Sequence, residues 1–258
     1  MAQAYTVPKD SIPVEDIGRD YIGESCDGSF FEVVERDEFG RIKTCKMHHL
    51  MHDLATKMAG MDSSRVGLQV DHIDEKTRHM SFDFHASSSW DFSRLFHAKG
   101  LRTFLLPGQK FWLSSDGKWE KSVYEAFFSK FKNLYVLDLH NFGIVKVPSC
   151  IKNLKHLRYL DFSQNDEIKV LPDSITMLLN LQVLNVSKCE QLKELPKDIK
   201  MLINLRHLYC DGCWNLMHMP RELGELTQLQ TLTWFVVAED SSFIKHTGDL
   251  KELTTLNN

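Results

Sequence analysis

Two pairs of side chains in this sequence have the spacing of metal ligands. His48 and His52 are four residues apart and would share one side of a helix, and Cys210 and Cys213 form a Cys-x-x-Cys pair. The histidine pair lacks the glutamate that follows the first histidine in metalloprotease helices. The sequence has no second Cys-x-x-Cys pair to complete a four-ligand zinc site. We therefore interpret the cysteines as structural and keep a metal site at the histidines only as an alternative.

The motifs that support catalysis or phosphate binding are missing from the 258 residues. No GxxxxGKS/T phosphate loop occurs, since Gly117 and Lys118 are followed by Trp119 and lack the earlier glycine. The sequence also lacks a nucleophile elbow and any pair of carboxylates in a catalytic context. We expect that the chain is not an enzyme and that it holds no cofactor of its own.

The composition is that of an ordinary folded protein, with 43% hydrophobic and 26% charged residues. The formal net charge of −4 does not favour nucleic-acid binding. No apolar run approaches the roughly 18 residues that span a bilayer, and the N-terminus, MAQAYTVPKD, has no apolar signal core. We expect no nucleic-acid partner, no membrane partner and a cytoplasmic protein, with the nucleus as a second compartment.

A repeat of about 24 residues organises the second half of the chain. Segments such as NLYVLDL and HLRYLDF begin on leucines that recur at spacings of 23, 24, 24 and 24, and three further columns keep the spacing of 24 in the same phase. Four columns in register indicate stacked structural repeats. The columns are Leu134, Leu157, Leu181, Leu205 and Leu229; Pro148, Pro172, Pro196 and Pro220; Ile151, Ile175, Ile199 and Leu223; and Leu154, Leu178, Leu202 and Leu226.

Each repeat is predicted to form a short strand followed by a helical return. In LxxLxL the last two leucines are two residues apart and face one side of a strand, while the residue between them faces the other. In LPxxIxxL the apolar residues are three apart, which suits one helical turn with proline at its first position. Stacked repeats would bury one continuous core. The predicted fold class is α/β, a leucine-rich-repeat solenoid of short parallel strands with helical returns.

The side chains between the leucines are predicted to line a concave sheet and to contact a protein ligand, because they mix polar, charged and aromatic types. Five strands would make a sheet of about 240 Å², against roughly 800 Å² per partner in a standard interface, so this array alone should bind weakly. The predicted contact residues are Tyr135, Asp138, His140, Arg158, Asp161, Asn185, Arg206, Tyr209 and Asp211.

A further column is predicted to stabilise the turns between repeats. Asn165, Cys189 and Cys213 follow the strands at the same phase, where a small polar group can bond to the backbone of the adjacent turn. The first repeat is one residue shorter and brings Phe142 near this position. The segment LRTFLL has the same LxxLxL spacing and predicts an irregular earlier strand, followed by an insertion at residues 107–117.

The first sixty residues predict a helix, a hairpin and a second helix. Apolar residues in IPVEDIGRDYIGES and in HHLMHDLATKMAG recur at helical spacing. Between them, residues 30–34 and 42–47 favour two strands joined by a charged, glycine-containing turn. We assign residues 1–60 to a partial winged-helix domain, 61–100 to a connecting segment with a strand at 79–82, and 101–258 to the repeats, which are regular over about 131–235.

Several phrases of the sequence occur together in one protein family. The stretch VEDIGRDYIGESCDGSFFEVVERDEFGRIKTCKMHHLMHDLA resembles plant nucleotide-binding leucine-rich-repeat disease-resistance proteins, as do TRHMSF, LRTFLLP, FKNLYVLDL and LTWFVVAED. The resemblance covers nearly the whole chain. It implies a piece that runs from the winged-helix end of the nucleotide-binding (NB-ARC) region into the first repeats of a plant defence receptor.

In that family a Met-His-Asp motif contacts the phosphates of ADP and holds the receptor inactive. The matching residues here are Met47, His48 and His49, so a histidine stands where the family has aspartate, and residues 51–53 match a second, helical copy of the phrase. ADP or ATP is the cofactor of the intact family. The resemblance implies protein partners: a pathogen effector, a host target, or the receptor's own switch domain, which the repeats would hold inactive.

Three other protein classes are weighed against this assignment. A generic intracellular leucine-rich-repeat scaffold accounts for the repeats but not for residues 13–59, and a degenerate or truncated receptor without signalling activity accounts for both. An extracellular receptor ectodomain is disfavoured, because plant ectodomains of that type favour a GxIP pattern and paired capping cysteines. This chain has LPxxI repeats and neither cap.

Overall fold

Residues 12–66, 73–82, 92–106 and 121–236 are described by the structure, a computed structural model. The chain divides into two units, residues 1–63 and 64–258. The insertion predicted at 107–117 and the LTWFVVAED segment beyond residue 236 lie outside the described residues.

The first unit has the predicted order of helix, hairpin and helix. In the turn of the hairpin the Asp37 carboxylate accepts hydrogen bonds from the backbone N–H groups of Phe39 (2.9 Å) and Arg41 (2.8 Å). Gly40 takes the left-handed φ of 77° that closes the turn. The elements are α1 (Val14–Asp27), β1 (Phe31–Arg36), β2 (Ile42–Met47), antiparallel to β1, and α2 (His49–Ala59).

The apolar side of α2 departs from the expectation for a core helix. Leu50, Leu54 and Met58 lie four residues apart, yet their exposed fractions are 63%, 51% and 79%. The helical spacing of these residues predicts the helix correctly, but the side that it defines is open to solvent.

The second unit is built on one eight-stranded sheet whose strands follow chain order. The strands from β4 to β10 are parallel, and the predicted strands at 79–82 and within LRTFLL both belong to this sheet. The strands are β3 (Ser63–Val66), β4 (His79–Phe82), β5 (Thr103–Leu105), β6 (Val136–Asp138), β7 (Tyr159–Asp161), β8 (Val183–Asn185), β9 (His207–Tyr209) and β10 (Thr231–Leu232).

The returns between strands are short 3-10 helices, and the prediction that proline takes their first helical position is wrong by one residue. Pro148 and Pro172 precede the turn in extended conformation, and their carbonyl oxygens accept hydrogen bonds from Ile151 (3.1 Å) and Ile175 (3.0 Å). The proline therefore begins each turn through its carbonyl group, which an i to i+3 bond requires. The returns include Ser149–Asn153, Asp173–Met177, Ile199–Met201 and Leu223–Glu225.

A phenylalanine cluster closes the core beside the first strands of the sheet. Between β5 and β6 the return is not a 3-10 turn but a full helix, α3 (Lys121–Lys130), which the sequence did not predict. Its Phe127 lies 5.0 Å from Phe104 and 4.8 Å from Phe131, measured between ring centroids. All three rings are at most 1% exposed, so the core continues from the leucine columns into this cluster.

Candidate recognition surface

Two rows of side chains cover the face of the sheet opposite the leucine core, which we call the open face. In each strand from β6 to β9 the middle leucine is fully buried, and the residues on either side of it point the other way. Strand register aligns these residues across the sheet. The first row is Val136, Tyr159, Val183, His207 and Thr231, and the second is Asp138, Asp161, Asn185 and Tyr209.

The first of these rows was missed by the sequence analysis. Tyr135, Arg158 and Arg206 were predicted in its place, and they lie one residue before their strands. The signal that could have found it is the two-residue period of a strand. Because Asp161 faces away from the core, Tyr159 must do so as well.

Asp161 is the centre of a hydrogen-bonded group on the open face. Its carboxylate is 6% exposed and accepts hydrogen bonds from the Tyr159 hydroxyl (3.0 Å), the Asn185 amide (2.8 Å) and the Ser163 backbone N–H (2.8 Å). Burial, together with this carboxylate, raises the pKa of Tyr159 and keeps its hydroxyl a donor. Three neighbouring positions are thereby fixed in one arrangement before any partner arrives.

Asp138 and His140 form a second group at the end of β6. Nδ1 of His140 lies 2.7 Å from the Asp138 carboxylate, which also accepts the His140 backbone N–H at 3.0 Å. The hydrogen bond to Asp138 raises the pKa of His140, burial opposes the rise, and the charges of Asp138 and Asp161 reinforce it. The pair therefore carries a charge that depends on pH near neutrality.

Asp138→Asn is expected to destabilise the protein by about 0.5–1 kcal/mol more at pH near 6 than at pH near 9. Because the pKa of His140 is higher in the folded than in the unfolded protein, its stabilisation is complete below the ordinary value of about 6.5 and is lost as the pH rises through the raised value. Urea denaturation at both pH values measures the difference. Asp166→Asn removes an exposed carboxylate as the control, and an equal loss at both pH values for Asp138→Asn would refute the ion pair.

Asp211 anchors a third group, at the end of β9. Its carboxylate accepts hydrogen bonds from Ser187 (2.7 Å) and Thr233 (3.0 Å), which come from the two neighbouring repeats. Burial alone would raise the pKa of Asp211, but these two hydrogen bonds, its backbone and the charge of Lys188 lower it. Asp211 therefore keeps a negative charge on the open face at neutral pH.

The Asn/Cys column stabilises the turns as the sequence predicts. The fully buried Asn165 bonds to backbone groups of the preceding repeat, and the thiols of Cys189 and Cys213 donate to the carbonyl oxygens of Phe162 (3.2 Å) and Val186 (3.1 Å). Burial raises the pKa of Cys189 to about 12 and that of Cys213 to about 11, so both stay protonated. These thiols are free and buried, which confirms their structural role.

The predicted nucleotide-sensing residues lie in the first unit, where β2 passes into α2. Met47 ends β2, His48 precedes α2 and His49 is its first residue, and all three are exposed. The rings of His48 and His49 are 4.4 Å apart. A carboxylate at position 49 would favour the helix dipole, whereas the histidine does not. Two exposed imidazole rings form no phosphate cradle, so the residues present do not make up a nucleotide site.

Two searches of the described residues return no site or span. In the described ranges no group of three or more potential ligands could hold a metal ion, so the histidine alternative gains no support there. None of the helices in that part of the chain is long and apolar enough to cross a bilayer.

Comparison with known families identifies both parts of the chain. A family described as "Leucine-rich repeat region" matches residues 119–258, and one described as "Disease resistance protein Winged helix domain" matches residues 1–55. A disease resistance protein of Arabidopsis thaliana is 38% identical over 160 residues, which are 60% of this chain and 11% of that protein. The disease resistance protein RGA1 of Solanum bulbocastanum is 32% identical over 169 residues, 66% of this chain and 14% of that protein.

The chain is also similar to a solved internalin of Listeria monocytogenes, with 16% identity, a TM-score of 0.44, and coverage of 75% of this chain and 58% of the other. The match to the curated relatives is local in their terms. The chain spans only 11% and 14% of the length of the two resistance proteins.

Proposed function

Because the chain belongs to the leucine-rich-repeat family and carries the winged-helix domain of plant disease-resistance proteins, we propose that it is a non-catalytic recognition module of a plant defence receptor. The module acts through its open face, which binds another protein. The observation that carries this proposal is the set of hydrogen-bonded groups around Asp138, Asp161 and Asp211, which fix polar side chains in place without burying them all. Prefixed groups lose less entropy when a partner binds.

The partner is a pathogen effector, a host protein or the switch region of the receptor itself. In the last case the repeats hold the receptor inactive, and the exposed histidines at the start of α2 belong to that switch. ADP or ATP would then be bound by the nucleotide-binding region of the receptor, because residues 47–49 provide no phosphate loop. The site of action is the cytoplasm, where such a switch would have nucleotide and protein partners.

A test compares substitutions on and off the open face in a receptor that contains this chain, expressed in leaf tissue. Tyr209 on β9 is partly exposed and stacks with His207 at 6.2 Å between ring centroids. Tyr209→Ala should alter either the resting or the triggered defence response at equal protein level, because aromatic contact residues carry much of the binding energy. Lys193→Ala, which removes an exposed side chain outside the strands, should leave both responses unchanged.

Equal responses from the two variants would contradict recognition by the open face. A normal response from both would favour a generic scaffold, in which the face only stabilises the repeats. Loss of response from both would place the effect in the fold and not in a recognition surface.

A further inference from the structure

A row of mostly basic side chains lies where the strands begin, beside the two rows of the open face. Each of these residues donates its backbone N–H to the carbonyl oxygen of the previous one, at 2.7–2.8 Å, so the backbone holds them in line across six repeats. Four of the six are arginines and none is acidic. We call Arg78, Arg102, Tyr135, Arg158, Gln182 and Arg206 the arginine row.

Tyr135 organises the centre of this row. The guanidinium carbon of Arg102 lies 5.9 Å from the centroid of its ring, and that of Arg158 lies 5.3 Å from it. These are cation–π distances, and the two arginines come from the strands on either side. One ring thus gathers two like charges into one patch, which an anion would stabilise by opposing their repulsion.

The loops that lead into the same strands extend the positive charge. Lys99, Lys132 and Lys155 are exposed in these loops, and residues 98–102, 131–135 and 154–158 contain no carboxylate. The carboxylates of the open face appear only three residues further along, which corresponds to about 10 Å in a strand. The sheet is therefore basic at the start of its strands and acidic at their ends.

We propose that the arginine row binds an extended, carboxylate-rich segment of a partner protein. Arg102, Arg158 and Arg206 are each two strands apart, or about 10 Å. In an extended polyproline-type chain, residues three apart share one side and are separated by about 9 Å. A segment with an acidic residue at every third position would therefore meet these arginines in succession. This proposal names the partner chemistry of the recognition role proposed above and rests on it.

The position of the acidic rows favours a single peptide chain over a nucleic acid. An extended chain occupies about 5 Å across, which fits within the arginine row. A wider polyanion would also cover Asp138 and Asp161, whose negative charges would repel it. The same repulsion would keep an acidic peptide at the start of the strands.

The test measures binding of a fluorescent dodecapeptide of four Glu-Ser-Ser units to the purified chain by anisotropy. Binding should weaken with added salt, and Arg102→Gln/Arg158→Gln should weaken it about fivefold. Lys169→Gln/Lys193→Gln removes the same charge from exposed positions outside the strands and should leave affinity unchanged. Equal losses in the two double variants, or no binding to the unaltered chain, would overturn the proposal.

A charge exchange separates a specific contact from a loss of folding. Arg102→Glu/Arg158→Glu should reject the acidic peptide and should bind a matching peptide of four Lys-Ser-Ser units, with an unchanged circular dichroism spectrum. Failure to bind the basic peptide would overturn the proposal, as would tighter binding of oligothymidine than of the acidic peptide by the unaltered chain. If these tests fail while substitutions on the open face still alter the defence response, only the acidic partner is excluded and the recognition role stands.

Discussion

Asn165→Ala should lower the free energy of unfolding by about 3–5 kcal/mol. The side-chain oxygen of Asn165 accepts hydrogen bonds from the backbone N–H groups of Phe142 (3.0 Å) and Ile144 (2.8 Å). Its nitrogen donates to the carbonyl oxygens of Leu139 (2.9 Å) and Phe162 (2.7 Å). Alanine would leave two buried N–H groups without partners, each at a cost of about 1–3 kcal/mol.

Cys189→Ala is the matched control, because Cys189 occupies the same column one repeat later. Its thiol makes one hydrogen bond to the Phe162 carbonyl, and alanine there should cost only about 1–2 kcal/mol. Urea denaturation of the two variants measures the difference. Equal losses would mean that the Asn165 amide does not satisfy the turn as described.

Phe127→Ala should also cost about 3–5 kcal/mol, through a cavity in the core. The ring of Phe127 is fully buried and meets Phe104 and Phe131 edge to face, with centroids 5.0 and 4.8 Å away. No described side chain can fill the space without leaving its own packing, so the lost contacts are not replaced. The same loss should loosen the start of the sheet, where α3 covers β5 and β6.

Ile203→Ala serves as the control for this cavity, because Ile203 is also apolar but is 59% exposed. Its replacement should change the free energy of unfolding by less than about 0.5 kcal/mol. Thermal and urea denaturation should rank the two variants in this order. A cost below about 1 kcal/mol for Phe127→Ala would contradict the packing of α3 against the first strands.

The repeated columns made most of the second unit predictable from sequence. Leu160, Leu184 and Leu208 are buried partners in adjacent strands, as their spacing of 24 requires. The Asn/Cys column was predictable for the same reason, since its position after each strand fixes which backbone groups it can reach. Regular spacing carries this information because each repeat contacts its neighbours in the same way.

Features that depend on the irregular first repeats were not predictable. The gap of 33 residues between Leu101 and Leu134 hides the fact that Arg102 and Tyr135 are neighbours across β5 and β6. Helix α3 lies after that gap, outside the phase of the repeats. The exposure of Leu54 on α2 was also hidden, because helical spacing shows that residues share a side but not what covers it.

The hydrogen bonds of the open face lie between these two cases. Register alone places Asp161 beside Asn185, so their proximity follows from the sequence. Which atoms meet depends on side-chain rotamers, and the bond from the Tyr159 hydroxyl to Asp161 was missed along with the whole Tyr159 row. Binding by the predicted residues of this face stays a prediction until a partner is captured on it.

Site-specific photo-crosslinking in plant tissue tests the central claim most directly. A photoreactive phenylalanine analogue would replace Tyr159 on the open face in one chain and Lys169, outside the strands, in another. We expect a discrete crosslinked protein from position 159, lost when Arg102 and Arg158 are also replaced if the acidic segment reaches this part of the sheet. Position 169 should yield none. The same crosslinked products from both positions, or none from position 159 in tissue with an active defence response, would contradict recognition by the open face.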